Sequence, residues 1–178
     1  MTRQVALWRG INVGKAKRVA MADLKALLIE LGASNVCTLL NSGNAVFDAQ
    51  RLSADQIRAA VAARLGVDAA VILKTSAELA TVAGHQPFAE ATDPSRLLVA
   101  FTVDAATLQR AADLQPEGND RIAVTAHAIY LWCGDGILAS KAATTLLKRL
   151  GDHGTTRNWA TVLKLHALAQ ADPADQAV

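Results

Sequence analysis

Apolar and polar positions along this chain follow two rhythms, and the changes between them sketch the elements. Residues 5–8 form a short apolar run closed by Arg9-Gly10 and predict a first strand. Between 21 and 31, apolar residues fall at 21, 24, 27, 28 and 31, which is one helical face, and Gly32 follows as a stop. Residues 36–40 predict a second strand. Asn41-Ser42-Gly43-Asn44 carries turn chemistry, and residues 45–47 predict the returning strand of a hairpin. Ser53 is placed to cap a helix running to Leu65, with Ile57, Val61 and Leu65 on one face and Gly66 beyond it. Residues 69–73 predict a fourth strand. The order is β-α-β-β-α-β, the ferredoxin-like signature.

A helix over 76–83 and a stretch punctuated by Gly84, Pro87 and Pro94 separate this pattern from a second one. There the spacing predicts a strand over 97–103, a helix over 105–114 and hairpin strands over 122–125 and 128–133. A helix over 138–150, stopped by Gly151, and a last helix over 157–169 follow. The expected fold class is therefore α+β, with two ferredoxin-like (βαββαβ-type) halves and an extra C-terminal helix. The halves are expected at 1–84 and 96–170, with 171–178 as a flexible tail. The duplication is one of pattern and not of residue identity.

Topology carries a further expectation. A helix between two strands of such a unit is a crossover, so the first and second strands run parallel. The chain then leaves strand one and turns after strand two at the same end of the sheet. The 9–18 loop is expected beside the 41–44 hairpin.

Composition narrows the class. Of 178 residues, 52% are hydrophobic, but 37 are alanine, so the core is built from small side chains with few aromatic anchors. Long disorder, collagen and a disulfide scaffold are excluded. No apolar run approaches the roughly 18–20 residues that a membrane span needs, so no membrane partner is expected. No secretion signal is readable at the N-terminus. Cys37 and Cys133 lie far apart in apolar stretches and read as reduced core residues of a cytoplasmic protein. Four histidines form no metal-binding pair, and no metal site is expected.

Charge changes the picture more. The formal net charge is +2, yet residues 1–22 and 140–166 together carry +9 and leave −7 for the rest. The basic loop residues Arg9, Lys15, Lys17 and Arg18 are interleaved with glycine, which argues for a negatively charged partner.

The candidate chemistry lies on those basic segments. Arg9-Gly10-Ile11-Asn12-Val13-Gly14-Lys15 follows a strand and precedes a helix, the position where backbone amides and a helix N-terminus receive phosphate. It is not a P-loop, since three residues separate the glycines and Ala16 follows the lysine; nor is there a G-x-G-x-x-G dinucleotide fingerprint. No cofactor is therefore named. Ser42, Gly43 and Asn44 offer donors beside that loop. Ser140-Lys141 supplies a hydroxyl and a cation at a predicted helix start. Thr155, Thr156, Arg157 and Asn158 are read as the beginning of the last helix, with threonine at its cap and an arginine beside free amides. The candidate ligand-binding set is Arg9, Gly10, Asn12, Gly14, Lys15, Ser42, Gly43, Asn44, Ser140, Lys141, Thr155, Thr156, Arg157 and Asn158. No nucleophile–base constellation is readable, so no catalytic residue and no reaction is assigned.

At these residues the chain resembles a known family. Arg-Gly-Ile-Asn-Val-Gly at 9–14, Met21 opening the first helix, Ser-Gly-Asn at 42–44 before Val46-Phe47, Ser140-Lys141 and Thr-Thr-Arg-Asn-Trp at 155–159 occur in order. They are similar to the bacterial domain-of-unknown-function family numbered 1697, over residues 3–168. The resemblance implies a compact α+β protein of two related halves and brings no activity with it. In the family the first loop often continues Gly-Lys-Asn, with proline before the methionine. Here Lys15, Ala16, Lys17 and Ala20 stand instead.

The leading functional expectation is a protein that binds a small anionic, phosphate-bearing or nucleotide-like ligand. Its cleft would be lined by the 9–18 loop, the 41–44 hairpin and the 155–159 helix start. Behind it stand single-stranded nucleic-acid binding, which open ferredoxin-like sheets often perform, and a protein-interaction module with no small-molecule site.

Overall fold

The computed structural model describes residues 1–172. The described residues divide into two compact units, Met1–Leu79 together with those from Leu165, and Ala80–Lys164. Each unit holds a four-stranded antiparallel sheet, in the mixed α+β architecture of two ferredoxin-like halves followed by a C-terminal helix.

The first unit runs β1 (Thr2–Trp8), α1 (Met21–Glu30), β2 (Ser34–Thr38), β3 (Asn44–Ala49), α2 (Ala54–Leu65) and β4 (Val71–Thr75), and α3 (Ser76–Ala83) begins at its end. Strand order is β2-β3-β1-β4. β1 pairs with β3 from Thr2↔Ala49 to Leu7↔Asn44 and with β4 from Gln4↔Thr75 to Trp8↔Val71. Since β1 and β2 both run antiparallel to β3, they are parallel to each other, as the crossover argument requires. Alternate strand residues Ala6, Trp8, Ala45 and Phe47 pack against Leu24 and Leu28 of α1 and Ile57 and Val61 of α2. Local chemistry fixes the helix ends. Ser53 and Gln56 exchange side-chain-to-backbone hydrogen bonds as a capping box, and Gly66 takes the left-handed conformation that ends α2. Arg3 holds Asp48 at 3.2 Å and donates to the Leu168 carbonyl at 3.3 Å, tying β1 to the last helix.

The second unit contains β5 (Leu97–Thr102), α4 (Ala105–Leu108), β6 (Arg121–Val124), β7 (Ile129–Trp132), α5 (Lys141–Leu150) and β8 (Gly154–Asn158). α6 (Trp159–Gln170) gives its first residues to this unit and its last to the other. Strand order is β6-β7-β5-β8, the same arrangement as in the first sheet. Leu98, Ala100, Ile129 and Leu131 pack against Leu108, Leu146 and Leu150. Tyr130, on the other face, donates its hydroxyl to the Val82 carbonyl at 2.8 Å and lies 6.4 Å from the Trp159 ring.

Several strand ends shift by two or three residues from the sequence expectation, and three segments differ in ways that have a physical reason. The largest concerns residues 154–158, read as a helix start. They form β8, paired with β5 from Leu98↔Asn158 to Thr102↔Gly154. Two adjacent threonines suit a strand as well as a helix cap, and Gly154 permits the close approach: a Cβ there would stand 3.0 Å from the Phe101 carbonyl oxygen. The cap of α6 is Asn158, whose Oδ1 accepts from the Thr161 amide at 2.9 Å. The expected 105–114 helix is a single α turn followed by a 3-10 turn, Gln109–Ala111. Buried Leu108, Ala111 and Leu114 repeat every three residues, which is the 3-10 period. The helix expected from 138 starts at Lys141, leaving Leu138 fully exposed. The expected tail falls mostly on 173–178, outside the described residues.

Gly43 tests the packing argument. Its φ is +82°, and a Cβ would meet Ile11 Cδ1 at 2.6 Å and Trp8 Cβ at 2.9 Å; Gly66, at φ +68°, has open space around it. Gly43→Ala should therefore cost about 2–4 kcal/mol in chemical denaturation, against about 1 kcal/mol for Gly66→Ala. Equal losses would show that backbone conformation alone sets both.

Candidate functional site

The 9–18 loop and the 41–44 hairpin meet at one end of the first sheet. The Trp8 amide donates to the Gly43 carbonyl at 3.0 Å. The loop closes on itself through the Asn12 amide, which donates to the Lys17 carbonyl at 3.0 Å. Asn12 stands at φ +55°, a conformation asparagine tolerates better than most residues. Its side chain then staples three segments. Nδ2 donates to the Val19 and Asn41 carbonyls at 2.8 Å each, and Oδ1 accepts from the Val19 amide at 2.8 Å. The side-chain amide of Asn12 is thus engaged within the protein. Asn44 behaves likewise: fully buried, it donates to the Leu39 carbonyl at 2.9 Å and to Ser42 Oγ at 3.1 Å. Gly43 of the Ser-Gly-Asn turn lies against the buried Ile11 side chain.

Beside this staple opens a cleft of about 320 Å³, lined by Asn12, Arg18, Val19, Ala20, Met21 and Asn41. It faces the start of α1. The first amides of any α-helix lack intrahelical acceptors, and here the residue ahead of them, Ala20, has no side-chain oxygen to cap them. The surrounding loop is cationic, with Lys15, Lys17 and Arg18 all exposed; Arg9 is half-buried and its backbone amide donates to Ala70. The one acid in the first turn of α1, Asp23, lines a different hollow with Glu30 and Arg64. Arg18, Val19, Ala20, Met21 and Asn41 are additions to the sequence-derived set. The signal available for them is the alanine standing where a helix ordinarily carries Ser, Thr, Asp or Asn.

The remaining candidates belong to the second unit, and their side chains have visible structural duties. Ser140 is the N-cap of α5, accepting from the Ala143 amide at 3.0 Å and donating to Asp120 Oδ2 at 2.6 Å. Asp120 also accepts from the Gly134 amide at 3.1 Å, so one buried carboxylate ties the start of β6 to the β7–α5 connection and the helix cap. Cys133 lies against this pair. Burial pushes its thiol above the usual range, the Ser140 hydrogen bond opposes that, and the Asp120 charge adds to it. A cleft of about 250 Å³ opens above, lined by Glu117, Asp135 and Lys141 among others. Lys141 and Glu117 form a highly exposed pair at 3.5 Å, a contact that contributes little. Thr155, Thr156 and Arg157 lie on β8. Arg157 is buried, and desolvation lowers its pKa to about 10, which leaves it protonated at neutral pH. It donates to Thr155 Oγ1 at 3.0 Å and the Thr156 carbonyl at 2.8 Å. Among the described residues, no group of three His, Cys, Asp or Glu side chains could hold a metal ion.

Two outcomes follow from the second-unit geometry. Ser140→Ala removes the cap and leaves Asp120 Oδ2 without its hydroxyl donor, and should lower unfolding free energy by about 2–3 kcal/mol in urea titration; a loss under about 0.5 kcal/mol would mean the network is slack. With a thiol-reactive dye, half-buried Cys37 should label in the native protein, and fully buried Cys133 only after denaturation. Equal native rates would contradict the packing described for Cys133.

Comparison with known proteins agrees with the fold. A structure of conserved bacterial protein SP0830 from Streptococcus pneumoniae is similar at 22% sequence identity and a TM-score of 0.78, over 95% of this chain and 99% of that one. At that identity the likeness concerns the fold alone. No curated protein matches the chain. The sequence pattern of one family, described as "Protein of unknown function (DUF1697)", matches residues 1–130. The loop, the first helix, the Ser-Gly-Asn hairpin and the first half of the second unit all lie inside that span, and the chain belongs to the DUF1697 family.

Proposed function

We propose that the protein binds a small phosphate-bearing anion in the cleft between the 9–18 loop, the 41–44 hairpin and the start of α1. The observation that carries this reading is the junction itself: a helix start without a side-chain cap, opening on a cleft of about 320 Å³ lined by Arg18. Exposed backbone amides and the positive end of a helix dipole favour negative charge, and an adjacent arginine adds a planar, bidentate donor. Lys15 and Lys17 raise the local potential that draws an anion in. In this reading Asn12, Gly43 and Asn44 build the wall, and Arg18 with the α1 amides meets the ligand. Ser140 and Arg157 contribute to the frame of the second unit.

Single-stranded nucleic acid is the weaker reading. Recognition of unstacked bases relies on exposed aromatic platforms. The seven aromatic residues, all among the described residues, are buried or half-buried.

Inorganic phosphate, pyrophosphate and nucleoside phosphates titrated into the full chain should raise its melting temperature in a saturable way. Arg18→Ala should abolish the shift, while Lys148→Ala, an exposed residue on α5, should leave it intact. At about a hundredfold excess over Kd the stabilisation amounts to about 2.7 kcal/mol, a shift of several degrees. A wild-type protein unmoved by every anion would end the proposal.

A further inference from the structure

The same end of the first sheet carries a feature that a soluble anion leaves unused. Val13 is 67% exposed and Leu40 is 50% exposed, and each is next in sequence to a partner in the Asn12–Asn41 hydrogen bond. Two large aliphatic side chains therefore stand in water on two loops that are stapled together. The backbone at or beside each lies in the left-handed region. Leu40 sits at φ +59°, unusual for leucine, and Val13 lies between Asn12 at +55° and Gly14 at +60°. Around them are exposed Lys15, Lys17 and Arg18, and residues 1–22 contain no acid. Asp68, whose carboxyl senses Lys17, is paired with Arg58.

Isolated exposed aliphatic residues are ordinary. Two on adjoining loops, one of which carries three exposed cations, form an amphiphilic surface with a particular complement. Nucleic acid would satisfy the cations and leave Val13 and Leu40 in water. An apolar protein groove would take the aliphatic tips and leave the cations. A bilayer with anionic headgroups takes both, with aliphatic tips at the headgroup–acyl boundary, lysine and arginine heads among the phosphates and their alkyl stems alongside. We infer that this loop pair docks the protein reversibly on anionic membranes, by insertion of Val13 and Leu40 and charge attraction by Lys15, Lys17 and Arg18. No helix of the described residues is long and apolar enough to cross a membrane, so the docking is peripheral. Stable anchoring needs more apolar surface than two such side chains supply, so the association is weak and sensitive to salt.

The inference shares the basic loop with the proposed anion site but does not need the cleft, and the two fail separately. The test is co-sedimentation of the full chain with vesicles of phosphatidylcholine alone or mixed with phosphatidylglycerol, at low and high salt. Binding to the mixed vesicles alone, lost at high salt, is expected. Val13→Ser with Leu40→Asn keeps the positive φ at residue 40 acceptable and should lower vesicle affinity roughly tenfold, with the melting temperature and the phosphate-induced shift unchanged. Lys15→Gln with Lys17→Gln should weaken binding to a similar extent. Binding that survives Val13→Ser/Leu40→Asn, or that single-stranded DNA matches in strength and salt dependence, would overturn the inference and mark a purely electrostatic surface. Absence of vesicle binding alongside an intact phosphate shift would overturn it and leave the anion site standing. Vesicle binding dependent on Val13 and Leu40, with no phosphate shift, would do the reverse.

Discussion

Antiparallel pairing on both edges of a central strand is the constraint from which the rest follows. β1 in one sheet and β5 in the other each lie between two hydrogen-bonded neighbours, so their backbone polar groups are satisfied inside the sheet. With β3 on one side of β1 and β4 on the other, the first crossover must place β2 beyond β3, running parallel to β1. The chain then emerges from β1, turns after β2 and enters β4 at one end. The stapled loops of the first unit are neighbours for this reason. Attraction between their side chains refines the contact, but pairing brings them there.

Much of this was legible in the chain. Gly66, Ser53 and the apolar spacing of 21–31 each carry a local signal with one strong meaning, and the corresponding elements stand where expected. Residues 154–158 carry the local pattern of a helix start and form a strand, because threonine has two strong meanings. It caps helices and it fills strands, and only a partner strand decides between them. β5 is that partner, more than fifty residues upstream, and no local pattern reports it. The 105–114 segment failed for another reason: positions spaced by three fit a 3-10 turn and an α-helix almost equally over a short window.

The candidate site was legible as a place and less so as a list. Polar residues in turns suggest ligand contact because their donors look free in sequence. In the fold, Asn12 directs its donor at backbone carbonyls of its own loop and of the neighbouring hairpin, Asn44 directs its own at the Leu39 carbonyl, Ser140 caps a helix and Arg157 lies within a sheet. Buried or bent backbone makes demands on nearby amides and hydroxyls that composition does not show. Conversely, Ala20 stands out in sequence only as a departure from the family's proline, although a helix start lacking its usual cap is a gap in hydrogen bonding visible from the sequence alone.

Gly43 has a consequence for how this family should be compared. A side chain at that position collides with Ile11 and Trp8 whatever the protein binds. Any relative that keeps the first loop folded over the hairpin must keep a glycine there, and the asparagines that close the two turns fall under the same pressure. Invariance at Asn12, Gly43 and Asn44 would therefore record inheritance of shape. Variation at 13, 15, 17, 18 and 40, which the shape leaves open, is where divergence of role among relatives would be written.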